Sequence, residues 1–128
     1  MKIELSSVLV DDQEKALKFY TEVLGFVKKE DIPMGKARWL TVVSPEAPDG
    51  VELLLEPNLN PAAKVFQQAL FEQGIPLTAF AVENIQGEYE RMKQLRVVFR
   101  SEPIKMEDGS TIVIFDDTCG NLIQLYQK

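Results

Sequence analysis

A chain of 128 residues with 45% hydrophobic content can bury one sizeable core, and a net charge of -6 with no run of Lys and Arg argues against nucleic acid as a partner. The absence of histidine removes Ser-His-Asp and Cys-His catalysis and His-based metal sites, so any chemistry rests on carboxylates, Lys, Tyr, Cys or a cofactor. A single cysteine, Cys119, excludes an internal disulfide and suits a reducing, cytoplasmic setting. No apolar stretch approaches the roughly 18 residues of a membrane span, and the opening MKIELSSVLVDD does not have the form of a signal peptide.

Lys2–Val10 is rich in Val, Leu and Ile and reads as a strand. Asp11 then caps a helix, with Glu14 three residues later as in a capping box. Ala16, Leu17, Tyr20, Val23 and Leu24 make its apolar stripe. Gly25 stops that helix, because it accepts a left-handed backbone without a Cβ penalty. Phe26–Ile32 reads as an exposed strand and Ala37–Ser44 as a stronger one; Val51–Glu56 follows a turn from Pro45 to Gly50. Asn60 and Pro61 start a connecting helix over Ala62–Gln73, with Val65, Phe66, Ala69 and Leu70 on one face. Leu77–Glu83 is the next strand, and Asn84 caps a helix carrying Ile85, Tyr89, Met92 and Leu95. Val97–Ser101 is read as a strand. Glu107–Ser110 is a hairpin turn between Ile104–Met106 and Thr111–Phe115, since Asp-Gly suits positive φ angles there. Asn121–Gln127 is the last strand.

The chain repeats itself. Val8–Asp12 ahead of one helix and Phe80–Asn84 ahead of another stand 72 residues apart, as do Glu52 in GVELLLEP and Gln124 in GNLIQLY. One domain over 1–128 is therefore expected from two βαβββ modules, about 1–58 and about 75–128, joined by a helix over about 61–73.

The segments VDDQEKALKFYTEVLGF (10–26), VELLLEP (51–57) and FDDTCGNLIQL (115–125) resemble the vicinal oxygen chelate superfamily, which holds glyoxalase I, bleomycin resistance proteins and extradiol dioxygenases. The resemblance implies an α+β fold in which two βαβββ modules form a curved mixed sheet around a concave cavity. In metal-dependent members a divalent ion binds there through four side chains, two from each module. Those positions fall on Leu5, Glu52, Leu77 and Gln124. Leucine offers no donor and a glutamine carbonyl is a weak one, so no metal ligand and no cofactor are expected.

The reading that follows is a metal-independent binding protein for a small, partly apolar molecule, a cytoplasmic homodimer as is common among such proteins, with no membrane or nucleic-acid partner. The expected ligand-binding residues are Glu52, Gln124, Trp39, Leu5, Leu77, Leu54 and Tyr126. Strand alternation puts Glu52, Leu54 and Glu56 on one face, and Gln124 and Tyr126 on one face of the last strand. Glu52 reads either as an anchor for a cationic or hydroxylated group or as a wall residue satisfied by water or by Gln124. Alternation sends either Arg38 or Trp39 inward. Cys119 reads as a reactive thiol only if it is exposed, and the flanking Asp116 and Asp117, read as a solvated turn, argue against a nucleophile. The alternative is a metal-dependent lyase, isomerase or dioxygenase with an altered ligand set, in which Glu52 is the only candidate base and a divalent metal would be required.

Overall fold

The computed structural model describes all 128 residues. They form two units, Met1–Val65 and Phe66–Lys128. The first holds β1 (Leu5–Val10), α1 (Gln13–Lys18), β2 (Val27–Met34), β3 (Ala37–Val43) and β4 (Glu52–Pro57). Helix α2 (Pro61–Gln73) spans the division, and the second unit continues with β5 (Thr78–Ala81), α3 (Ile85–Gln94), β6 (Ile104–Lys105), β7 (Thr111–Asp116) and β8 (Leu122–Gln127). Each unit has a four-stranded mixed sheet, ordered β1-β4-β3-β2 and β5-β8-β7-β6, with the outer pairs β1·β4 and β5·β8 parallel. The α+β architecture of two βαβββ modules is thus the one the sequence implied.

Local chemistry explains most element ends. Asp12, one residue later than expected, caps α1: it accepts from the Lys15 N–H at 3.0 Å, while Asp11 instead pairs with the Lys15 ammonium at 3.1 Å. Glu14 is not in a capping box; it bonds Arg38. After Lys18 the helix widens into a π-helical turn over Phe19–Val23, with the Leu24 N–H donating five residues back to Phe19. Gly25, at φ +87°, closes it: its own N–H reaches the Thr21 carbonyl and the Phe26 N–H reaches the Tyr20 carbonyl. The result buries Ala16, Phe19 and Tyr20 against Val8, Val10, Leu40, Val42 and Leu55, the core of the first unit.

Strands β3 and β4 pair only over Thr41–Val43 and Glu52–Leu54. Beyond that, Gln13 from α1 supplies hydrogen bonds that the ladder lacks. Its amide N–H groups donate to the Arg38 and Leu55 carbonyls, both at 2.8 Å, and its carbonyl accepts from the Arg38 N–H at 3.0 Å.

In the second unit Asn84 caps α3 by accepting from the Gly87 N–H, and the Ile85 N–H is met by Gln127 of β8 at 2.8 Å. Ile85, Tyr89 and Met92 are buried with Val113, Phe115, Ile123 and Leu125, whereas Leu95 is exposed. Gly109, at φ +91°, makes the expected hairpin turn, with Asp108 accepting from the Ser110 N–H and hydroxyl.

Three further expectations fail. Val97–Ser101 is not a strand: only Phe99 bridges to Phe115, beyond an α3 end at Arg96 (φ 67°) and ahead of Pro103, which lacks an N–H. The apolar side of α2 is not buried. Val65 and Phe66 are exposed, and the one buried residue of that helix is Gln67, whose amide donates to the Cys119 carbonyl and the Asn121 side chain, both at 3.1 Å. Nor is Asp116–Gly120 a solvated turn. Asp117 is fully buried, its carboxylate accepting from the Cys119 N–H (2.7 Å), the Asn121 N–H (3.0 Å) and the Asn121 amide (2.8 Å), and Cys119 is buried beside it. Gly120, at φ +101°, allows this approach, because a Cβ there would lie 2.7 Å from the Gln67 amide nitrogen.

Candidate functional site

The two faces of the first sheet differ in kind. Arg38 lies on the α1 side, where its guanidinium grips Asp31 through two bonds (3.0 and 2.8 Å) and Glu14 through a third (2.9 Å). Those bonds hold the Asp31 carboxyl below the usual aspartate range and push Arg38 further up. Alternation therefore turns Trp39, not Arg38, to the other face. Registered with Trp39 on that face are Leu5, Ser7 and Leu9 of β1, Glu52, Leu54 and Glu56 of β4, Thr41 and Val43 of β3, and Val27, Glu30, Ile32 and Met34 of β2.

At the centre of this face Thr41, fully buried, donates its hydroxyl to the Glu52 carboxylate at 2.7 Å. An ionised carboxylate only accepts, so Thr41 is the donor, and its oxygen accepts a second bond. A register shift between Lys28 and Glu30 frees the Glu30 N–H, which donates to the Thr41 oxygen at 3.1 Å. Glu52 takes part in none of the chain's ion pairs. Trp39 and Glu52 are half-buried, Leu54 is buried, and Leu5, the neighbour of Glu52 in register, is exposed. Four of the sequence's candidates thus share one sheet face. Thr41 was missed: a Thr in a β-rich run signals only strand propensity.

The other three candidates belong to the second unit. Gln124 and Tyr126 share a half-buried face of β8, with Ile112 and Ile114 of β7 and Ala79 and Ala81 of β5 in register; Ile123 and Leu125 point into the core. Leu77 falls ahead of β5 and is exposed.

Register corrects the equivalence of Glu52 with Gln124. The N-caps Asp12 and Asn84 are 72 apart, but Leu5 pairs with Glu52 whereas Gln124 pairs with Ala79. Carrying the β5·β8 register one residue back sets Leu77 opposite Leu122. The counterpart of Glu52 is therefore Leu122, and that of Gln124 is Leu54, at a spacing of 70 shared by Gly50 and Gly120. Within each unit these positions keep at most one oxygen donor, Glu52 beside Leu5 and Leu54 in the first and Gln124 beside Leu77 and Leu122 in the second. No three His, Cys, Asp or Glu side chains come together elsewhere in a metal-binding group. The residues present do not fit a divalent ion.

Comparison with known proteins places these features. The model of the glyoxalase/bleomycin resistance protein/dioxygenase superfamily matches residues 2–125. The uncharacterized protein YurT of Bacillus subtilis (strain 168) is 59% identical over the whole of both chains. Among solved structures, UcmS2 is 33% identical with a TM-score of 0.83, covering 98% of this chain and 97% of its own. TnmS3, an antibiotic binding protein from Streptomyces sp. CB03234, is 25% identical with a TM-score of 0.73, covering 99% of this chain and 95% of its own. No helix is long and apolar enough to cross a membrane.

Proposed function

Because the chain belongs to the glyoxalase/bleomycin resistance protein/dioxygenase superfamily, we propose that it binds a small, partly apolar molecule without the help of a metal. One observation carries this reading. The sheet register leaves each unit at most one oxygen donor at the positions a metal would need, while half-buried Trp39 and Glu52 share a face with buried Thr41 and Leu54. Pockets for small molecules combine apolar walls with a few fixed polar groups, and that is the composition here. The likeness to an antibiotic binding protein supports the same class of activity.

A homodimer in the cytoplasm completes the proposal. It is supported by exposed Leu59, Val65, Phe66, Leu77, Val98 and Ile104, and by a lone buried cysteine with no disulfide. Sedimentation showing a monomer at micromolar concentration would remove the dimer.

The test of the central claim is metal content after equilibration with Mn, Fe(II), Ni and Zn followed by gel filtration, run beside a screen of aromatic small molecules read by quenching of Trp39, the only tryptophan. No metal retention together with saturable quenching is expected. Stoichiometric retention of one metal would overturn the reading and make lyase, isomerase or dioxygenase chemistry the better one.

A further inference from the structure

Resting on the small-molecule reading above, we propose that Glu52, positioned by Thr41, is the anchor for a cationic nitrogen, so that the ligand of the first unit is a cationic aromatic amphiphile. Three features of the sheet face lead there. Its carboxylates, Glu30, Glu52 and Glu56, share the face with neither Lys nor Arg. The basic residues of this sheet are engaged elsewhere: Arg38 by Asp31 and Glu14 on the α1 side, Lys28 by Asp31, and Lys29 by Asp49 and the Pro48 carbonyl. The charge of Glu52 is therefore left for a ligand to meet, in half-buried surroundings where a charge-assisted bond is stronger than in water.

The second feature is orientation. The Thr41 oxygen accepts from the Glu30 N–H and donates its proton to one carboxylate oxygen of Glu52 at 2.7 Å. That bond holds the carboxylate in one rotamer and leaves its other oxygen as an acceptor, which selects a donor on the ligand. Third, Trp39 with Ile32 and Met34 lies on the same face and supplies an aromatic and apolar surface for the body of the molecule, where the indole also favours a cation. Thr41 itself is fully buried and acts only through Glu52.

The test uses two acridines of similar size at pH 8, 9-aminoacridine as the protonated, N–H-bearing cation and acridine as the neutral form, titrated against the full chain with Trp39 quenching and calorimetry. The cation is expected to bind at least about tenfold tighter than acridine, the size of one charge-assisted hydrogen bond. Glu52→Gln should abolish that preference, bringing the affinities of the cation and of acridine together. Thr41→Val should reduce the preference severalfold and Thr41→Ser restore it; a merely structural Thr41 would change both affinities alike. Circular dichroism confirms that each variant folds. Equal binding of both probes, tighter binding of acridine, or binding of neither overturns the inference. So does a Thr41→Val variant that keeps the full preference. The first two results would leave the small-molecule reading standing, and the broader screen decides that reading independently.

Discussion

The two units tie helix to sheet in opposite ways. In the first, a glutamine at the start of the helix, Gln13, reaches into the sheet and bonds Arg38 and Leu55. In the second, Ile85 occupies the corresponding helix start, and a glutamine of the last strand, Gln127, reaches back to cap it. The units also hold their periphery differently. The first uses exposed charge, Arg38 with Asp31 and Glu14, whereas the second uses a buried latch of Asp117, Asn121 and Gln67. A duplicated plan therefore constrains backbone order and leaves side chains free to solve the same joint with different bonds. The same freedom let Glu52 and its counterpart Leu122 diverge.

Breaking each tie should show this asymmetry. The largest effect is expected from Asp117→Ala, which strands three donors at a fully buried position and should lower unfolding free energy by about 3 kcal/mol or more in urea titrations. Gln13→Ala removes three part-buried bonds and should cost about 2 kcal/mol, against about 1 kcal/mol for Gln127→Ala, which removes one. Equal costs would mean that the helix-to-sheet ties of the two units are interchangeable.

The smallest effect is electrostatic and confined to the first unit. Because the folded Asp31 carboxyl titrates below its ordinary value, chiefly through its bonds to Arg38, its contribution is complete above the ordinary aspartate range. It is lost as the pH falls through the lowered value. Asp31→Asn should therefore lower stability slightly near neutrality and flatten the acid limb, the two proteins converging at the lowest pH, and added salt should mimic it.

Much of this molecule was legible in short stretches of sequence. Gly25 and Gly109 adopt the positive φ angles read for them, Asn84 caps where it was placed, and strand alternation sorted Ile123 and Leu125 from Gln124 and Tyr126. Each of these depends on a residue and its near neighbours, so the pattern carries the physics. The cap at Asp12 rather than Asp11 shows the limit of even that reading, since two adjacent acids satisfy the same local rule.

What the chain order could not fix was everything set by partners far away in sequence. The shift from a spacing of 72 to one of 70, signalled in the sequence only by Gly50 and Gly120, is decided when β1 and β5 are laid against β4 and β8, and it sets which residue stands where a metal ligand would be. Gln67 is buried and Val65 exposed because the Asp117 loop offers acceptors that only a polar side chain can meet. Thr41 finds Glu52 because a bulge in β2 frees one backbone N–H across the sheet. Local propensity determined the elements; long-range hydrogen bonding, which must satisfy every buried polar group at once, decided the register and which side chains share a face.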